Sequence, residues 1–380
     1  MSSIPPELSD YVIDFLHDDR PSLKACSLTC RTWHPAARHH LFRTVTFSSP
    51  RSREDFQQLL HAAPYIGQFA RDVRLGKWSP YVAKGEIYKP EQLSMIFCAL
   101  PAVERLELVL VEMDAVLESS LIRHFTSVTQ LSLEYCRFPA FGALVGLLRS
   151  FPALERLNLR GVSWEKVEEV AFPARPNSVN APALRNLVLA KDMELDVLVE
   201  WMLSEGLCDN LETFSGSCKH DADAIIIGEL LRAAGPSLIN LELDWYCASY
   251  NDIFLPLEFT VSPCTSLQTL TLNCPIDLHA TLPWVSSLLS QVCPASLQKL
   301  TFGIRLLGSL DAIDWKRVEA ILSPDIFKKF NTLQFSIAAW HTASQRGAEV
   351  QSSIRQRLPQ LALAGKDYDG GYVNMGNILG

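Results

Sequence analysis

The sequence predicts an α/β chain in which a three-helix N-terminal module precedes an irregular solenoid, with parallel strands on its concave side and helices on its convex side. Two patterns predict it: an apolar stripe at helical spacing within the first 42 residues, and an apolar triplet that recurs every 25 to 33 residues through most of the rest. A third observation sets the order inside each repeat, because the triplets follow helical stretches and are often preceded by proline.

Residues 4–42 read as three short helices. Pro5 and Pro6 open the first, where a missing N–H costs little. Leu8, Val12, Phe15 and Leu16 then recur at helical spacing, and Ile13 widens the stripe. The run His17-Asp18-Asp19-Arg20-Pro21 is a polar stop, and Ser22 can cap a second helix holding Leu23, Cys26 and Leu28. Trp33 through Phe42 suits a third, with Pro35 in its opening turn. So few residues cannot bury much apolar surface by themselves. Part of that surface must be covered by the rest of the chain or by a separate partner.

The triplet is apolar, two residues, apolar, one residue, apolar. It appears at Val103/Leu106/Leu108, Val128/Leu131/Leu133, Leu154/Leu157/Leu159 and Leu184/Leu187/Leu189, and returns through Leu238/Leu241/Leu243, Leu267/Leu270/Leu272, Leu297/Leu300/Phe302 and Phe330/Leu333/Phe335. Leu211/Phe214 is an incomplete copy, and weaker copies stand at Phe42/Val45/Phe47 and Ala70/Val73/Leu75. A ladder at near-constant spacing is a repeat signal. Helical stretches such as Gln92–Leu100, Phe141–Arg149, Asp221–Ala234 and Val285–Cys293 precede several triplets, and prolines at 101, 152, 182 and 236 halt the helix before the extended segment. Trp164–Asn180 and Leu306–Lys329 read as insertions.

Strands stack about 4.8 Å apart and helices about 10 Å, so such a stack curves with its strands inside. Residues between the core leucines then line the concave face. Among them Arg156, Arg160, Glu242 and Asp244, flanked by Trp245 and Tyr246, form the candidate surface for a protein client. Trp78, Tyr135, Trp164 and Trp340 also lie just beyond strands. The competing reading packs these aromatics into the interior. The domains expected are 1–47 for the helical module, 48–345 for the repeats, and 346–380 for a helix and a flexible, glycine-rich tail.

Composition narrows the class. The apolar fraction of 48% with 20% charged residues fits a folded protein, and a net charge of −8 argues against a general nucleic-acid binder. Residues 1–60 hold seven basic and seven acidic side chains, so the acidic excess belongs to residues 61–380. Ten scattered cysteines without a Cys-x-x-Cys pair, no Asn-x-Ser/Thr acceptor, and no signal pattern imply reduced thiols in the cytoplasm or nucleus. No apolar run approaches the roughly 18–20 residues of a membrane span, so no membrane association is expected.

Catalytic patterns are absent from the sequence. There is no Gly-x-Gly-x-x-Gly, Gly-x-x-x-x-Gly-Lys, Gly-x-Ser-x-Gly or His-Glu-x-x-His run. Ser296 and Lys299 have a Ser-x-x-Lys spacing on a repeat strand, which is chance. Cys26, Cys30 and His34 lack a fourth metal ligand, and His220 with Asp221 and Asp223 reads more simply as the start of a helix. No cofactor, no metal and no catalytic residue is expected.

The run IPPELSDYVIDFLHDDRPSLKACSLTCRTWHPAARHHLFRTVTF resembles an F-box of the kind common in fungal proteins. The matching features are Pro5, Glu7-Leu8, Val12-Ile13, Leu16, Leu23, Ser27-Leu28, Cys30-Arg31, Trp33, Ala37 and Leu41-Phe42; Ile4 and Thr29 depart from the usual Leu and Val. The resemblance covers about one tenth of the chain. It implies docking onto a Skp-type adaptor, and through it a cullin, with Pro5, Leu8, Ile13, Leu16, Leu23, Leu28 and Trp33 facing or bracing the adaptor. The triplets are similar to leucine-rich repeats, the usual companion of an F-box in one large subfamily, although only Cys136 occupies the Asn/Cys position that would normally follow each triplet. Together these imply a substrate-recognition subunit of a Skp–cullin–F-box ubiquitin ligase that binds an unknown protein client and is not itself an enzyme. The alternative is an interaction scaffold outside any ligase.

Overall fold

The computed structural model describes residues 6–76, 90–167, 183–190, 193–245, 255–276, 281–306, 308–323, 325–339, 343–363 and 367–374. It is a mixed α/β chain with parallel sheets, and the described residues form no closed barrel. Two compact units divide it: Met1–Ala171 with Val179–Ala183, and Phe172–Ser178 with Leu184–Gly380. The N-terminal helices therefore belong to the first unit, and the expected boundary at 47 is not a division between compact bodies. Among the described residues no helix is long and apolar enough to cross a membrane.

In the first unit, α1 (Pro6–Asp14), α2 (Arg20–Thr29) and α3 (His34–Arg43) form a bundle whose core is Ile13, Leu23, Ala37 and Leu41. Leu16, Cys26, Trp33, Ala36 and Phe42 pack around it, half-buried. Asp19, not Ser22, caps α2: its carboxylate accepts from the Ser22 backbone N–H at 3.1 Å. An acid can take that role as well as a hydroxyl, and Pro21 then occupies the first turn.

Then follow β1 (Thr44–Phe47), α4 (Pro50–Ala62), β2 (Asp72–Gly76), α5 (Pro90–Cys98), β3 (Arg105–Val109), α6 (Ala115–His124), β4 (Gln130–Glu134), β5 (Arg137–Phe138), α7 (Phe141–Arg149), β6 (Arg156–Arg160) and β7 (Ser163–Trp164). β1, β2, β3, β4 and β6 pair in parallel in that order. Leu110, Tyr135 and Gly161 each stand one residue beyond a strand with positive φ (55°, 53° and 59°). The turn re-aims the chain, Val111, Cys136 and Val162 are buried behind it, and β5 pairs with β7 as a second short ladder. Cys136 donates its thiol to the Leu108 carbonyl at 3.3 Å, which satisfies a buried backbone group at the repeat corner.

In the second unit β8 (Asn186–Ala190), α8 (Leu195–Ser204), β9 (Thr213–Cys218), α9 (Asp221–Ala234), β10 (Asn240–Trp245) and β11 (Thr269–Ile276) are followed by α10 (Pro283–Leu289), β12 (Lys299–Leu306), α11 (Trp315–Ile321), β13 (Thr332–Ala339), α12 (Ala343–Arg357), α13 (Pro359–Leu363) and β14 (Asp367–Asn374). All seven strands pair in parallel in chain order. α11 occupies the segment expected as an insertion.

One carbonyl opens most rungs. Arg71 O accepts from Glu104 N and Arg105 N, and Glu104 O from Thr129 N and Gln130 N, at 2.8–3.1 Å. The motif recurs in the second unit, where Glu212 O serves Ile239 and Asn240, Ile239 O serves Gln268 and Thr269, and Gln268 O serves Gln298 and Lys299. This forked contact sets the register, and in that register every member of the triplets from 103 to 335 is buried. The incomplete copy explains itself. Gly216 takes the third position because a Cβ there would meet the Phe214 ring at 2.6 Å, so Phe214 fills both places.

One expectation needs correction. The sequence predicts a flexible C-terminal tail, yet Asp367–Asn374 pairs along β13, with Tyr368, Gly370 and Tyr372 in register with Leu333, Phe335 and Ile337. An open sheet edge captures such an alternating segment even when it is rich in glycine. Strands β11, β12 and β13 are also eight residues long, beyond the triplet.

The bundle meets the repeats at a histidine. His39 packs edge-on against Phe69 at 5.8 Å and against His40 at 5.3 Å, while His40 Nε2 lies 2.7 Å from Asp14 Oδ1. Burial lowers the pKa of His39, and the charges of His40, Arg43 and Arg71 lower it further against the pull of Asp14. A lowered folded-state value means the unfolded chain binds the proton better, so this contribution is present above about pH 6.5 and is lost as pH falls through and below it. Wild type should therefore lose more melting temperature between pH 7.5 and 5.5 than His39→Gln; equal losses would exclude His39 as a contributor.

Candidate docking surfaces

Helix α1 is apolar on two sides. Ser9, Ile13 and Leu16, at i, i+4 and i+7, face the bundle. Leu8, Tyr11, Val12 and Phe15, at i, i+3, i+4 and i+7, form a second stripe one position round from the first, running into the turn after α1, and are 55%, 61%, 57% and 69% exposed. Tyr11 and Phe15 meet edge to face at 4.9 Å. On α2, Leu28 is 87% exposed. A helix of a globular protein ordinarily keeps one apolar stripe for the core and gives the other side polar residues. The second stripe spans about 10 Å of helix and has no covering from the described residues.

This sorts the residues that the sequence assigns to the adaptor. Leu8 and Leu28 point outward. Leu16 and Trp33 are half-buried braces. Ile13 and Leu23 are a correction: at 1% and 0% exposure they are the bundle's own core and offer a partner no surface. Pro5 lies outside the described residues. Tyr11, Val12 and Phe15 complete the surface, and the sequence carries a signal for them: the same helix holds two apolar sets offset by one position.

The strand-lined positions behave differently. In the first unit the polar side chains bridge adjacent strands: Asp72 lies 3.5 Å from Arg105, Arg105 donates to Gln130 at 2.9 Å, and Arg74 pairs with Glu107 at 2.9 Å. Arg160 donates to Asn158 at 3.1 Å and lies 3.9 Å from Glu134, while Asn158 donates to Ser132 at 2.9 Å. Arg156 is exposed on the same strand. Tyr135 is exposed over Gly161, where a Cβ would sit 2.7 Å from its ring.

In the second unit Glu242 and Asp244 are joined by Asn273, whose amide donates to Glu242 at 2.9 Å and also to Asp244. Ser217 donates to Asp244 at 3.5 Å. Gly303 opposite makes room, since a Cβ there would stand 2.0 Å from Asn273 Oδ1. Arg156 and Arg160 thus belong to one unit, and Glu242 and Asp244 to the other.

Trp245 leaves the candidate client surface. It is 3% exposed, stacks on Trp284 at 5.0 Å and meets Phe259 edge-on at 5.7 Å. The cause is the two-residue strand period: Leu241, Leu243 and Trp245 point the same way, and β10 continues past the triplet. Tyr246, Trp78 and Trp340 lie outside the described residues, and Trp164 packs on Phe141 at 5.0 Å.

The thiols have a structural setting. Burial pushes Cys136 and Cys208 up to about 12, Cys264 up to about 11, and Cys218 and Cys274 upward as well, so these stay protonated at neutral pH. Exposed Cys30 is lowered, chiefly by its contact with Thr32 Oγ1 at 3.0 Å. Asp223 accepts from the Lys219 and His220 backbone N–H groups at 2.9 and 3.0 Å, which is the helix-start role expected of it.

No protein-family model matches the chain, and no curated protein matches it in sequence.

Trp245→Ala should cost about 3–5 kcal/mol of stability, as large-to-small changes in a packed aromatic cluster do. Urea unfolding measures this, and a change below about 1 kcal/mol would return Trp245 to the surface.

Proposed function

We propose that this chain is an F-box protein with a leucine-rich-repeat-type solenoid, acting as the substrate-recognition subunit of a Skp–cullin–F-box ubiquitin ligase in the cytoplasm or nucleus. The observation that supports it most is the second apolar stripe of α1, Leu8, Tyr11, Val12 and Phe15, left open among the described residues of a bundle with a small buried core. It lies within the segment whose sequence resembles an F-box. A Skp-type adaptor would cover that stripe and brace against Leu28, Leu16 and Trp33. The cullin is reached through the adaptor, and ubiquitin transfer falls to other subunits, with this chain supplying proximity.

The client would lie on the strand-lined positions of the repeats, with Arg156 and Arg160 offering positive charge in the first unit and Glu242 and Asp244 negative charge in the second. Specificity there rests on charge and shape matching rather than on an aromatic anchor at Trp245.

The paired substitution Leu8→Asp with Phe15→Asp places two charges in the stripe and leaves the core face of α1 untouched. Adaptor affinity measured by calorimetry should fall by about 2 kcal/mol or more, roughly 30-fold, with the melting temperature nearly unchanged. Undiminished affinity in the folded double variant rejects the docking surface. Adaptor binding without cullin recruitment would instead support a scaffold outside the ligase.

A further inference from the structure

We infer that the N-terminal bundle is also the structural cap of the repeats, and that occupation of its outer stripe stabilises the first strands. The second half of this inference rests on the adaptor reading; the first does not. Stacked repeats gain stability from their neighbours, so a terminal repeat needs a cap. Here the cap and the stack share backbone. α3 ends at Arg43 and β1 begins at Thr44 with no linker, and Arg71 N donates to Arg43 O at 2.9 Å, so the parallel pairing starts on the last residue of the helix.

Side chains extend the junction. Arg38 lies over the Tyr65 ring at 5.9 Å and donates to the Tyr65 hydroxyl. Tyr65 meets Phe69 edge-on at 6.2 Å, and His39 meets Phe69 at 5.8 Å. The turn carrying both rings, Pro64–Phe69, reaches β2 after two residues, Ala70 and Arg71. α1 is tied to the same helix through Ile13 in the core and through Asp14 to His40.

A bundle whose buried apolar core, among the described residues, is Ile13, Leu23, Ala37 and Leu41 is too small to be stable alone. It folds with the strands it adjoins. A partner that binds only the folded bundle must then stabilise those strands by mass action. The stripe is thus a place from which the order of the first repeats can be adjusted.

The experiment is amide hydrogen exchange on the full-length chain. Leu23→Ala loosens the bundle at a residue on α2, away from β1, and should speed exchange about tenfold or more at Thr44–Phe47 and Asp72–Gly76, as well as within 6–43. Exchange at β11, β12 and β13 should be unchanged. Acceleration confined to 6–43 would overturn the cap. Should Leu23→Ala unfold the chain, Leu23→Val makes the same comparison with a smaller loss. In a second arm, saturating purified Skp-type adaptor should slow exchange at Thr44–Phe47 and Asp72–Gly76 in the wild type. Adaptor that binds without slowing them overturns the coupling. Adaptor that does not bind refutes the adaptor reading and the coupling, while the Leu23 variants still decide the cap.

Discussion

The forked carbonyl at the start of the rungs is the contact on which most else depends. Each of these carbonyls accepts two successive amides of the next strand, and the choice of carbonyl fixes which residues face the core. A slip by one residue would send the leucines outward and the arginines, glutamates and asparagines inward, where their burial would be costly. The two faces therefore follow from one backbone constraint. The inward face supplies the hydrophobic driving force, and the outward face is free to carry Arg105, Gln130, Glu242 or Asn273 in hydrogen-bonded rows.

That constraint also explains what is legible from residues alone. The triplets are readable because strand period and burial coincide, and α7 and α9 stand at Phe141–Arg149 and Asp221–Ala234 as expected. What the triplet hides is where each strand stops. It puts Trp245 at the rim because the leucines end at 243, although parity already assigns that residue inward. β14 is hidden because glycine and aspartate depress strand propensity, while pairing with an open edge outweighs propensity. On α1, mean apolar content does not say which stripe faces inward. The side packed against Ala37 and Leu41 decides it for Ile13, and the remainder is left outside.

The bundle thus does two things with one helix. Its inner face closes a very small core, and its outer face keeps apolar groups in water, which an isolated chain has no reason to do. An adaptor that covers the outer face gives that exposure a purpose. The direct passage of α3 into β1 means that a partner held there would be held against the first repeats without a flexible joint. A client bound on the strand-lined positions of the first unit would in turn be presented from a fixed base.

Oxidative footprinting of the full-length chain with purified Skp-type adaptor tests the central claim most directly, because it reports each side chain of the stripe in the native sequence. Binding should shield Leu8, Tyr11, Val12, Phe15 and Leu28 from modification while Tyr65 and Met95, exposed elsewhere in the first unit, keep their reactivity. A complex that forms with the α1 stripe as reactive as in the free chain would contradict the account.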